Sequence, residues 1–139
     1  MGLSVNVSPI QLGDPWLAQR ILKTLTETGF APGRLTIELT ENAVVDDLAA
    51  ARSIITSLKS AGAKVALDDF GTGYSSLTHL RTLQFDSIKI DRSFVLDMRN
   101  AHDVELVRAI IGMGHSLGMR VTAEGVENPS DLSTLANLD

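Results

Sequence analysis

Cysteine is absent from the 139 residues. That excludes a disulfide framework and any thiolate metal site. No apolar run is long enough to span a bilayer, and the amino terminus does not read as a secretory signal. Met1-Gly2 opens a myristoylation pattern, but Asn6 stands where that pattern requires Ser or Thr. Asn6-Val7-Ser8 matches a glycosylation sequon; on a strand, with no secretory signal, it reads as a chance match. A cytoplasmic location is the default expectation. Basic residues are in deficit, with 12 Lys and Arg against 17 Asp and Glu and a net charge of -5. The chain therefore lacks the basic footprint of a protein that binds polymeric nucleic acid. An acidic chain still takes a phosphate ligand when bound cations invert the local sign. Linkers and low-complexity tracts are also missing, and 44% hydrophobic with 21% charged residues suits one globular unit.

What is present centres on Lys64-Val-Ala-Leu-Asp-Asp-Phe-Gly-Thr-Gly-Tyr-Ser-Ser76. Val65 and Leu67 alternate with Ala66 and Asp68, the period-2 mark of a strand. Asp68 is then expected to point to one face and Asp69 to start the following turn. Two adjacent carboxylates repel each other, and a divalent cation is the usual compensation. Gly71 and Gly73 allow a sharp turn close to a ligand. Ser75 or Ser76 is expected to cap a helix that begins near Leu77.

The remaining chain alternates between the two periods. Leu3–Ser8, Leu35–Thr40, Ser87–Asp91 and Arg120–Glu124 read as four further strands. The first helix is expected to start with Asp14 as N-cap and Pro15 in its first position. It carries Leu17, Ile21, Leu22 and Leu25 and stops at Gly29. One helix is expected from Val44 and Val45 through Leu48, Ile54, Ile55 and Leu58 to Gly62. Another carries Val104, Leu106, Val107, Ile110 and Ile111 to Gly118. Asn128-Pro129 starts a last one with Leu132, Leu135 and Leu138. Five consecutive strand–helix units with short connections predict an α/β fold with a parallel sheet, because each return to a parallel neighbour needs a crossover helix.

The strand faces differ. Leu3, Val5, Val7, Leu35, Ile37, Leu39, Val65, Leu67, Ile88, Ile90, Val121 and Ala123 fall on one face, expected to pack under helices. Ser4, Asn6, Thr36, Glu38, Ala66, Asp68, Ser87, Lys89, Thr122 and Glu124 fall on the other. Parallel strands covered on both sides read as continuously apolar, and these do not. A polar inner rim at the carboxyl ends of the strands is where barrel enzymes place their sites.

Five ordered segments carry a resemblance: Ser4-Val5-Asn6-Val7-Ser8-Pro9, Glu38-Leu39-Thr40-Glu41, Asp68-Asp69-Phe70-Gly71-Thr72-Gly73, Lys89-Ile90-Asp91 and Glu124-Gly125-Val126-Glu127. Together they resemble the EAL domain, a family of bacterial cyclic di-GMP phosphodiesterases built on a modified TIM barrel. The resemblance covers essentially the whole chain. It implies hydrolysis of cyclic di-GMP to linear pGpG with Mg2+ or Mn2+ at a two-metal site. It implies Asn6, Glu38, Asp68 and Asp69 as metal ligands, and Lys89 and Glu124 as the residues that handle the attacking water. Asp91 and Glu127 would lie close by, and Glu41 would anchor the glycine-rich loop after Phe70. Without the remaining barrel strands, Leu3–Ser8 and Arg120–Glu124 are expected to be open edges, so self-association is expected, and the family's tendency to dimerise points the same way.

Elementary chemistry agrees with those roles. Hard cations take carboxylate and amide oxygens. Lys89 among several acids stays charged, which suits orienting and stabilising, and leaves Glu124 as the better base. Two departures stand beside the match. The Glu-Ala-Leu motif, whose Glu is a metal ligand in the family, is absent, and so is the last barrel strand. A complete barrel runs to about 250 residues. The chain is therefore expected to hold the third through seventh strand–helix units of an incomplete (β/α) barrel, five of eight strands, and to be inactive alone. A non-catalytic cyclic di-GMP receptor and a protein-interaction module are the alternative readings. Other matches carry less. Asp69-Phe70-Gly71 reads as a kinase metal motif without its partner loops. His79, His102 and His115 sit on helices without ligand spacing.

Overall fold

The computed structural model describes residues 2–70, 77–96, 101–127 and 129–138. Five strands, β1 (Leu3–Val7), β2 (Leu35–Thr40), β3 (Lys64–Phe70), β4 (Ser87–Ile90) and β5 (Arg120–Ala123), form one sheet in sequence order. Every neighbouring pair is parallel. Helices α1 (Pro9–Leu12) and α2 (Leu17–Thr28) carry the first crossover, and α3 (Glu41–Asp46) and α4 (Leu48–Ser60) the second. Helix α5 (Leu77–Leu83) lies in the third; α6 (Arg92–Leu96) and α7 (Ala101–Ser116) carry the fourth; α8 (Pro129–Leu138) follows β5. The result is a partial TIM-barrel-like α/β fold. None of the helices is long and apolar enough to cross a membrane, among the described residues.

The register sets the two faces. Asn6 pairs with Glu38, Glu38 with Ala66, Ala66 with Ser87, and Lys89 with Thr122. Paired residues of parallel strands share a face, so the polar set falls together as the alternation predicts. On the other face Ile37, Leu39, Val65, Leu67 and Ile88 are fully enclosed against Leu25, Ile54, Ile55, Leu58 and Leu80. Burying each such side chain contributes roughly 1.5–3 kcal/mol. A second cluster joins Ile90 to Val95, Val107, Ile110 and Ile111. The expectation that all the apolar strand residues pack under helices fails at β1. Leu3 is 52% exposed and Val5 39%, because no helix among the described residues covers that part of the edge strand.

The helix starts differ from the sequence reading where polar side chains intervene. Ser8 accepts the Gln11 N–H and Gln11 Oε1 accepts the Ser8 N–H, a reciprocal box that nucleates the extra helix α1. Asp14 does not cap α2. It accepts the Trp16 N–H at 2.9 Å in a local turn, and α2 begins at Leu17. The single helix expected over 44–58 is two, because Asp47 accepts the Ala50 N–H and starts α4 anew. The helix ends at Gly29, Gly62 and Gly118 fall as expected, each at a positive φ. Helix α5 begins at Leu77, while the expected caps Ser75 and Ser76 and the turn at Gly71 and Gly73 lie outside the described residues.

Candidate functional site

Strand β3 does not end at its first aspartate. Leu67 pairs with Ile88 and Phe70 with Ile90, so Asp68 and Asp69 together face Lys89 alone. This is a bulge, and it turns two successive side chains away from strict alternation. Asp69 is inside the strand at φ +53°, not at the start of the turn. Asp is among the residues that tolerate this left-handed conformation. Its N–H donates to Asp68 Oδ1 at 2.9 Å.

The bulge brings carboxylates together. Oxygens of Asp68, Asp69 and Glu124 all lie within 4.8 Å of one another. Glu124 stands one residue past β5, tied by its N–H to the Ile90 carbonyl at 3.3 Å. Glu38 is 5% exposed and forms an ion pair with Lys89 Nζ. The same Nζ lies 3.4 Å from Glu124 Oε1. A buried carboxylate without a cation would be costly, so Lys89 holds Glu38 and reaches the three-carboxylate cluster at once.

The protonation directions follow from this crowding. Burial, then the Asp68 and Asp91 carboxylates, raise the Asp69 carboxyl above its ordinary range. Burial and the Asp68 charge raise Glu124. The hydrogen bond with Glu38 raises Lys89, which therefore stays charged. Asp91 is lowered, first by the Ser93 hydroxyl and also by the Ser93 N–H, which donates to it at 3.0 Å.

Of the residues singled out in the sequence, Glu38, Asp68, Asp69, Lys89, Asp91 and Glu124 form one connected group. Asn6 lies beside Glu38 in register, exposed on the edge strand. Glu127 is exposed beyond β5. Glu41 is buried in the first turn of α3, at 2% exposure. The loop it was expected to anchor, residues 71–76, lies outside the described residues. Sequence reasoning missed Ser93. The Asp-x-Ser spacing of an Asx turn was the available signal.

The donor set fits a hard divalent cation. It offers carboxylate oxygens of Asp68, Asp69 and Glu124, and burial together with the Asp68 charge raises the Asp69 and Glu124 carboxyls.

The chain is similar to known proteins in sequence and in fold. A family model described as the EAL domain matches residues 1–139. The cyclic di-GMP phosphodiesterase NbdA of Pseudomonas aeruginosa is 38% identical over 134 residues, which is 96% of this chain and 17% of NbdA. The PaMucR phosphodiesterase in complex with c-di-GMP superposes with a TM-score of 0.94 at 33% identity, covering 99% of this chain and 56% of that one. A manganese and cy-diGMP complex of Klebsiella pneumoniae BlrP1 superposes at 0.89 with 32% identity, covering 99% and 36%. The chain thus spans under two thirds of the length of each.

Proposed function

The chain belongs to the EAL domain family, and from that membership we propose that its polar strand ends form part of a site that hydrolyses cyclic di-GMP to linear pGpG. The observation that supports this most is the convergence of Asp68, Asp69 and Glu124 beside a lysine already paired with Glu38. In this reading Asp68, Asp69 and Glu124 hold one Mg2+ or Mn2+, and Asn6 and Glu38 join Asp68 toward a second. Bound cations supply Lewis acidity toward a phosphoryl oxygen and favour ionisation of an attacking water. Two named relatives support the substrate class, as complexes with c-di-GMP or cy-diGMP, one of them also holding manganese.

The chain's own residues supply the rest. Lys89 stays protonated beside Glu38, so it orients the water and faces the charge that develops on the phosphoryl oxygens. Glu124 lies 3.4 Å from Lys89 Nζ, and its oxygen not turned to the cation takes the proton that the water gives up. Asp91 stands beside Asp69 and is itself held by the Ser93 N–H, which donates to it at 3.0 Å. Glu127 is exposed three residues past Glu124 and is assigned here to the substrate side. We read the chain as the third through seventh strand–helix units of the barrel. These 139 residues lack the Glu-Ala-Leu segment and its ligand. Each lost factor of ten in rate corresponds to about 1.4 kcal/mol of transition-state stabilisation.

The test is a calorimetric titration of cyclic di-GMP with Mn2+ present or chelated, followed by assay of pGpG. We expect saturable, cation-dependent binding with turnover orders of magnitude below that of a complete domain. Absence of cation-dependent binding contradicts the substrate assignment. Release of pGpG at the rate of a complete domain contradicts the assignment to five of eight units.

A further inference from the structure

Gly125 directly follows Glu124 and adopts φ +76°, in the left-handed region. A Cβ placed there would lie 2.6 Å from Arg92 Cβ and 3.5 Å from Arg92 Cα. Those atoms belong to the root of a side chain at the first position of α6, not to a flexible end. Arg92 in turn follows Asp91, whose carboxylate meets Asp69. The backbone ties run across the same place: the Glu124 N–H donates to the Ile90 carbonyl at 3.3 Å, and the Asp91 N–H to the Phe70 carbonyl at 3.4 Å. The contact between Gly125 and Arg92 therefore sits where the β5 carboxylate and the β3 pair are set against each other.

We infer that Gly125 is a positioning residue for the cation site. Its missing side chain lets the end of β5 close on the first turn of α6, and that closure sets Glu124 within reach of Asp68, Asp69 and Lys89. The inference rests on the reading of those carboxylates as cation ligands. It adds a residue that touches neither cation nor substrate. Gly118 provides the comparison. It sits before β5 at the opposite end of the strand, at φ +74°, with nothing within 4 Å of the Cβ position. Alanine at Gly118 meets the same backbone disfavour without the contact.

The test is titration of Mn2+ into the 139-residue chain, followed by the electron paramagnetic resonance signal of free Mn2+. The chains compared are wild type, Gly125→Ala, Gly118→Ala, the double variant Arg92→Gly with Gly125→Ala, and Asp68→Asn as the chain that lacks a ligand. Losing the support of a ligand typically weakens metal affinity about 10–100-fold, and that loss is expected for Gly125→Ala. Gly118→Ala is expected to keep wild-type affinity, and removal of the Arg92 Cβ to restore part of what Gly125→Ala loses. Wild-type affinity in a folded Gly125→Ala overturns the inference while the cation reading stands. Failure of the wild type to bind Mn2+ overturns both. Should Gly125→Ala unfold, the double variant decides: affinity near wild type supports the inference, and affinity as weak as that of Asp68→Asn overturns it.

Discussion

Asp69 combines a left-handed backbone, at φ +53°, with a carboxyl raised by burial and by the neighbouring Asp68 and Asp91 charges. A carboxyl raised by folding holds its proton more tightly in the folded chain than in the unfolded one. Cation-free stability therefore falls as pH rises from the ordinary value, 3.8 for Asp69, through the raised one. Glu124 behaves alike from 4.5 upward. Asp91 is lowered, so its stabilising contribution is complete above 3.8 and is lost only at lower pH. The window above about pH 4 thus isolates the raised pair. In EDTA, Asp69→Asn is expected to flatten the fall in melting temperature across that window. With excess Mn2+, cation and proton compete for the same oxygens, so stabilisation by the cation grows with pH. Melting curves over this range check both, and a wild-type stability that follows the Asn variant at every pH contradicts the account. The two aspartates were legible in sequence as a repelling pair at a strand end. The bulge that aims both toward Glu124 was not, because one extra residue against Lys89 leaves no periodic trace.

At the scale of elements, the long pieces were readable and the short ones were not. Strands of four to seven residues and helices of three turns or more leave period 2 or 3.6 in the sequence. Helices α1 and α6, with four and five residues, are too short for either period to show. The break at Asp47 is a capping event inside an unbroken apolar stripe, so the stripe alone predicts one helix. Besides Gly125 against Arg92, the packing of α7 on β5 is tight at Gly114. A Cβ on Gly114 of α7 would collide with Val121 Cγ2 on β5. Val121 is β-branched and stiff, so it yields little. Gly114→Ala is expected to destabilise the chain by about 1–3 kcal/mol through overpacking. The same change on a Val121→Ala background is expected to cost much less. Urea unfolding of the four chains measures the coupling, and equal costs on both backgrounds contradict the contact.

At the scale of the whole molecule, the sheet is open among the described residues: β1 pairs only with β2, and β5 only with β4. The parallel pairing of the five strands followed from the alternation of strand and helix, and their sequential order from the resemblance to a barrel. The bare flank of β1 did not, because Leu3 and Val5 alternate as buried residues do and nothing in sequence states what covers them. Leu3, Val5, Ile10 and Trp16 expose apolar surface near that edge, and Leu106 and Leu132 near the other. Water satisfies unpaired backbone groups but leaves apolar surface unfavourable. Self-association of the 139-residue chain is therefore expected, with a mass above that of the monomer in light scattering after size exclusion at micromolar concentration. A cooperative monomer at high micromolar concentration contradicts it.

The central claim is that the carboxyl edge of this sheet is a cation site built from Asp68, Asp69 and Glu124. The most direct measurement is an equilibrium Mn2+ titration of the wild-type chain beside Asp68→Asn, near neutral pH, where the cluster is least protonated. The account predicts saturable binding to the wild type, at least tenfold weaker binding to Asp68→Asn, and a melting temperature that Mn2+ raises more in the wild type than in the variant. Equal affinity in the two chains, or no saturable binding in either, would contradict it.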